Sequence, residues 1–257
     1  MIRVDEAYEG EMRLFRAKRD AALRAEGGWL TATGLFVLEE GHNELSFGVV
    51  TVSGDSVRMV ARSGVEVIHR GAPVREACLR TDQDDDILYV GSTSHQLIRR
   101  GDTLAIRSRD PHNPLRRTFP GSEWFPVDPN WRVYARAVPL ERTRTLELTY
   151  SVAAHETAAT EYILAFERHG VTYALEPIVE PRRLCIMFRD STNGHLTSEI
   201  GRYLYAPLPQ NGRTVLDFNQ ALTPGCAYSE HVMCPIPPKR NMLHILIESG
   251  EKMPRIA

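Results

Sequence analysis

From residue 28 onward the chain is written almost wholly in short alternating runs, and this constrains its fold more than anything else in it. Apolar residues recur at every second position in stretches such as "SVRMVARSGVEVIHRGAPV" and "ATEYILAFERHGVTYALEPIVE", with turn residues closing each stretch. A period of two presents one apolar face, which is the pattern of a half-buried strand. No helical pattern falls between the runs, so the crossover connections that a parallel α/β sheet requires are missing. The expected fold is mostly β, built from antiparallel strands. Ser63-Gly64, Arg70-Gly71, His169-Gly170 and Asn211-Gly212 read as turns.

Two segments break the pattern. Residues Glu6 to Glu26 carry Tyr8, Met12, Phe15, Ala22 and Leu23 at helical spacing, and Gly27-Gly28 follows as a stop. The second is "DPHNPLRRTFPGSEWFPVDPNWRV", where Pro111, Pro114, Pro120, Pro126 and Pro129 exclude a regular ladder. Phe119, Trp124, Phe125 and Trp131 interleave with these prolines, so the segment reads as a packed crossing rather than a flexible linker. The expected organisation is an N-terminal helix (1–27), a small β sandwich or barrel (28–110), a packed connector (111–131) and a C-terminal barrel-like β unit (132–257).

Composition narrows the partners. A chain of 257 residues with 42% hydrophobic residues builds its core without disulfide support. A net charge of -2 supplies no basic field for nucleic acid or anionic lipid. No apolar run reaches the roughly 18 residues of a membrane helix, and the charged start "MIRVDEAYEGEMRLFRAKRD" has no signal-peptide core. A cytoplasmic protein is expected. The sequence contains no G-x-G-x-x-G, P-loop, H-E-x-x-H or G-x-S-x-G motif.

Two stretches hold candidate chemistry. In "ALTPGCAYSEHVMCPIPPKRN", Cys226, His231 and Cys234 stand at C-x4-H-x2-C spacing among Pro224, Pro235, Pro237 and Pro238. Zinc wants four ligands, or three and a water, and Cys185 in the apolar run "RRLCIMF" is the one further thiol nearby in sequence. A Cys226–Cys234 disulfide fits the short loop but not a reducing compartment. A nucleophilic cysteine needs a base that sequence proximity to His231 does not guarantee. The preferred reading is a pair of small buried thiols packing a proline-stiffened loop, with no metal and no organic cofactor.

The other stretch is "FRDSTNGHLTSEIGRYLY" with "LDFNQA". Asp190 through Gly194 makes a good turn, and Arg189 is placed to pair with Asp217. Polar groups so dense beside apolar strands also suggest a polar cavity inside a barrel. There Asp190 or Asp217 would be a general base and Tyr203 an acid or oxyanion donor. Arg189 or Arg202 would clamp an anion, with Thr197 and Asn219 binding substrate.

The blocks "MRLFRAKRDAALRAEGGWLTATGLFVLEEGHNELSFG", "FPGSEWFPVDPNWRVYARAVP", "FRDSTNGHLTSEIGRYLYAPLP" and "VLDFNQALTPGCAYSEHVMCPIPPKRNMLHILIESGEK" resemble the bacterial and archaeal family called domain of unknown function 1684. The resemblance implies an architecture and a motif-dense C-terminal half, and no established activity. Between the two cysteines, family members resemble S-P-Y-A-T where this chain reads Ser229-Glu230-His231-Val232-Met233, so His231 is not a family residue. The N-terminal half of the family resembles a forkhead-associated fold. Here that region is shortened to "LSFGVVTVSGDSVRMV", and the arginine and serine of phosphopeptide readers are not at recognisable spacing.

Together these observations point to a cytoplasmic enzyme acting on a small organic molecule by cofactor-independent acid/base chemistry. Hydrolysis, isomerisation and cyclisation all fit, in biosynthesis or breakdown. The alternative is a non-catalytic interaction module using the N-terminal sandwich.

Overall fold

The computed structural model describes residues 5–256, except 82, 84, 152 and 153. The chain begins with α1 (Glu6–Arg24), whose first turn is capped by Asp5 accepting a hydrogen bond from the Ala7 backbone nitrogen at 3.1 Å. Its buried residues are Tyr8, Met12 and Leu23, while Ala22 faces solvent. The helix stops two residues earlier than its pattern suggests, and not through a left-handed glycine. Ala25 caps it in an extended conformation, and a side chain at Gly28 would overlap the Leu23 and Ala22 carbonyl oxygens.

The N-terminal unit is a sandwich. Its strands are β1 (Ala32–Leu38), β2 (Gly41–Leu45), β3 (Gly48–Ser53), β4 (Ser56–Ala61) and β5 (Val67–His69). They continue with β6 (Ala72–Val74), β7 (Glu76–Leu79), β8 (Ile87–Val90), β9 (Thr93–Arg100) and β10 (Thr103–Arg109). One sheet runs β1-β10-β9-β8-β5-β6 and the other β2-β3-β4-β7, every pairing antiparallel. Phe47, Val50, Met59, Leu88 and Ile106 fill the space between them. Arg70 and Gly71 both take positive φ, the twist that a two-residue hairpin turn needs, as do His169-Gly170 and Asn211-Gly212 further on.

The connector holds a single helical turn, α2 (Leu115–Thr118), and buries Phe119, Phe125 and Trp131. Trp124 is only half-buried, edge-on to Phe15 at 5.9 Å, with the Arg16 guanidinium 5.1 Å from its ring centre. It serves as the seat for α1.

The C-terminal unit follows as β11 (Arg132–Thr149), β12 (His155–Arg168), β13 (Val171–Leu175), β14 (Ile178–Glu180) and β15 (Arg183–Asp190). It closes with β16 (Arg202–Ala206), β17 (Arg213–Asp217) and β18 (Met242–Leu243). The runs "RVYARAVPL" and "RTLELTYSV" form one strand, β11, with a register shift between Pro139 and Arg144; Val152 lies outside the described residues. The sheets β13-β12-β11-β17 and β14-β15-β16 curl into a half-barrel, and β18 adds to β15 in parallel. "LHILIESGEK" is strand only at its start, because the carbonyls of Ile247 and Ser249 turn to a side chain, Arg202.

The interior of this half-barrel is apolar. Trp131, Phe166, Phe188 and Phe218 meet there, with Phe218 5.7 Å from Trp131 and 5.3 Å from Phe188, both edge-on. The polar interior cavity expected from the sequence is therefore not formed. The two β units share a further core cluster of Ile98, Ala105, Leu146, Tyr150, Met187 and Met233. Gly101, at the β9–β10 turn with φ of 53°, presses on β12 so closely that a side chain would overlap the His155 carbonyl.

Candidate functional site

The residues expected to line one cavity instead bond to one another. Arg202 and Asp190 are a fully buried ion pair, Nη2 to Oδ2 at 2.7 Å. The same guanidinium donates to the carbonyls of Ile247, at 2.9 Å, and Ser249. Asp190 closes its own turn by accepting from the Thr192 nitrogen at 2.9 Å and hydroxyl at 2.6 Å. Thr192 bonds Thr197 at 2.8 Å, and Thr197 accepts from Asn193 at 2.9 Å. Asn219 accepts from the Asp128 nitrogen at 2.9 Å and from Ser249 at 2.8 Å, tying the connector to the C-terminal segment.

Asp217 does not pair with Arg189. Its carboxylate accepts from the Tyr8 hydroxyl, at 2.7 and 2.8 Å, and Arg132 stands 3.9 Å away. Burial and the carboxylate raise the Tyr8 pKa, so the phenol stays protonated and donating. Asp190, Asp217, Arg202, Asn219 and Thr197 are thus parts of a buried scaffold, each engaged by protein partners although the Arg202 Nε has none among the described residues, and Arg189 is half-buried at the β15–β18 pairing. None of them is free to take a substrate proton or clamp an anion at a common cavity.

Tyr203 goes elsewhere. It faces a cleft of about 370 Å3 between the sandwich and the half-barrel. This volume lies in the lower part of the roughly 300–1,000 Å3 range of ligand clefts. Its wall draws on distant parts of the chain: Arg19 from α1, Trp29, Arg100 from β9, Tyr150 after β11, Glu156 from β12, and Cys234 from the proline loop. Arg19 is held there by Glu251 and by the Thr223 carbonyl at 2.7 Å, and Glu251 also accepts from Tyr228. Tyr150 donates to Glu156, and the Tyr203 hydroxyl donates to the Pro235 carbonyl at 2.8 Å.

The proline loop forms one edge of this cleft. Two backbone hydrogen bonds tie it to the end of β11: the Ile236 nitrogen donates to the Thr149 carbonyl at 2.7 Å, and the Ser151 nitrogen donates to the Cys234 carbonyl at 3.0 Å. All four cysteines are free thiols. Cys226 and Cys234 pack with Ala32, Val232 and Trp29, and the Cys226 backbone nitrogen donates to the Cys234 sulfur at 3.2 Å. Hydrogen bonds from the Cys226 thiol and from that backbone nitrogen lower the Cys234 pKa, and the Cys226 thiol is raised in turn. His231 is half-exposed beside Glu230 and lines a second cleft with Cys226. Among the described residues no group of three His, Cys, Asp or Glu side chains is placed to hold a metal ion.

Arg107 sits beneath this edge. It is 4% exposed, and its Nε and Nη2 have no hydrogen-bond partner among the described residues. Its guanidinium lies 5.4 Å from the Trp29 ring centre. Burial, with Arg109 and Arg100 nearby, brings its pKa down to about 10, and negative charge on Cys234 acts against that shift. Sequence reasoning missed Trp29, Arg100, Arg107, Tyr150 and Glu156. Arg107 did carry a signal, as a charged residue at an inward position of the apolar run "TLAIRSR".

The fold and cleft define a class: a two-unit β protein, with a thiol-edged cleft where its units meet. Within that class, the chain belongs to the family described as Protein of unknown function (DUF1684), which matches residues 117–252. An uncharacterized protein of Haloarcula marismortui, whose solution NMR structure is known, is 32% identical, with a TM-score of 0.45. That match covers 53% of this chain and 78% of the other. No curated protein matches. The cleft residues Tyr150, Glu156, Tyr203 and Cys234 fall inside the family match, as does Cys226 beside them, whereas Arg19, Trp29 and Arg100 of the cleft and the underlying Arg107 fall outside it.

Proposed function

We propose that the junction cleft is a small-molecule site, and that the protein is a cofactor-independent enzyme acting there on an organic molecule with an anionic group. One observation carries this reading: a cleft of about 370 Å3 gathers Arg100, the Tyr150–Glu156 pair, Tyr203 and Cys234 around it. Arg100 is the cation for the anionic group. Trp29 and Tyr205 supply flat apolar walls. Glu156, oriented by Tyr150, is an exposed carboxylate suited to accept a proton. Cys234 is the nucleophile within reach of the same space. A cytoplasmic setting belongs to this reading, since it keeps the four thiols reduced. No helix among the described residues is long and apolar enough to cross a membrane.

The test is a thermal-shift screen of small aromatic and aliphatic carboxylates against the wild type and Arg100→Gln. At least one acid is expected to raise the wild-type Tm and to lose most of that effect in the variant. A screen with no stabilising acid, or one whose hit is indifferent to Arg100, speaks against this site. The interaction-module reading draws on Phe36 and Val37, about half exposed on the edge strand β1. It gains ground if the cleft stays empty in such a screen.

A further inference from the structure

We infer that Cys226 and Cys234 are a redox pair, in which Cys234 is oxidised by a hydroperoxide through the junction cleft and Cys226 then closes a disulfide with it. The inference uses the cleft only as an entry path and does not require that an organic substrate be turned over there.

Four features of the loop carry it. The Cys226 backbone nitrogen lies 3.2 Å from the Cys234 sulfur and both residues pack in one small cluster, so Cys226 is positioned before any oxidant arrives. The loop between them spans eight positions and is stiffened by flanking prolines, so the pair meets without moving either sheet. Cys234 lines one cleft and Cys226 another. Arg107 is buried below with two N–H-bearing nitrogens unpartnered among the described residues, and Cys234 lies within range of its charge. A buried guanidinium without an acceptor is expensive. A sulfur anion on Cys234 is the compensating charge that the site can generate for itself.

The chemistry balances. The Cys234 thiolate attacks one peroxide oxygen; the S–O bond forms, the O–O bond breaks, and the departing oxygen leaves as hydroxide or alkoxide and takes a proton from water. The Cys226 sulfur then attacks Cys234; the S–S bond forms and the S–O bond breaks. The hydroxyl leaves as water with the Cys226 proton. The pair gives up two electrons and the peroxide receives them. A cellular dithiol restores the reduced form by exchange.

Cys226 and Cys234 lie in one tryptic peptide, residues 214–239, which makes the test direct. Reduced full-length protein is treated with equimolar hydrogen peroxide, alkylated and digested. The peptide is expected to lose two hydrogens and both alkyl groups, and to regain its labelling after dithiothreitol. In Cys226→Ser, dimedone is expected to label Cys234, because the resolving thiol is gone. In Cys234→Ser, Cys226 should stay unlabelled. Arg107→Lys should slow oxidation of Cys234 while leaving the fold intact. Arg100→Gln, the variant that tests ligand binding, should still form the disulfide, so the two readings fail separately. A 214–239 peptide that keeps both alkyl groups while the exposed Cys78 oxidises would overturn the inference, and so would a dimedone adduct on Cys226 in Cys234→Ser.

Discussion

Replacing Arg202 by methionine is the sharpest test of whether the polar network is scaffold or active site. The substitution keeps most of the side-chain length and removes only the guanidinium. Three acceptors then lose their donor: the Asp190 carboxylate, previously at 2.7 Å, and the carbonyls of Ile247 and Ser249. Both members of the ion pair are without solvent exposure, so water cannot replace the lost partner. Breaking a buried pair from one side costs about 3–5 kcal/mol. Two orphaned carbonyls push toward the upper end of that range, at roughly 1–3 kcal/mol for each buried polar group left unmet. Against a total stability of about 5–15 kcal/mol this is a large fraction. Urea melts followed by tryptophan fluorescence measure it. Asp190→Asn added to Arg202→Met removes the stranded charge and should recover about 1 kcal/mol or more relative to Arg202→Met alone, a coupling expected of residues in contact. A loss below about 1 kcal/mol at unchanged m-value, or a double variant as weak as the two singles summed, would refute the scaffold argument.

Other consequences are quickly checked. Trp131 is 6% exposed and wedged against Phe218, so Trp131→Ala should lower stability by about 3–5 kcal/mol in denaturant melts. Tyr8→Phe removes a donor from Asp217 and should cost about 1–3 kcal/mol, with faster amide exchange in α1 as its signature. His95 is buried against Phe47, and burial lowers its pKa to about 4. The unfolded chain takes up that proton first, so stability falls as pH drops from about 6.5 toward 4. The loss reaches at most about 3 kcal/mol, and His95→Gln should flatten this part of the pH profile in thermal melts. Gly101→Ala would drive a methyl group into the His155 carbonyl and should loosen the sandwich from the half-barrel, seen as two transitions in calorimetry instead of one.

Much of the fold was legible because it depends on neighbours in sequence. A period of two sets which face of a strand is apolar, and a residue-glycine step at positive φ sets a hairpin, as at Arg70-Gly71 and His169-Gly170. The helix and the proline-bound connector are local in the same sense. Where local reasoning failed, a distant partner had intervened. Residues 244–249 carry strand-like residues, but their carbonyls serve Arg202 instead of a ladder. Density of polar residues at 189–219 was visible, but whether they enclosed a space or closed on each other was not. Asp217 looked available in the sequence; its acceptor capacity is taken by Tyr8, 209 residues away. The cleft itself exists only because residues 19, 29, 100, 150, 203 and 234 arrive at one place when two β units share a core. Periodicity and turn chemistry act over a few residues and so can be read along the chain. Burial, the pairing of buried charge and the lowered pKa of Cys234 depend on what packs against what, and only the tertiary structure decided that.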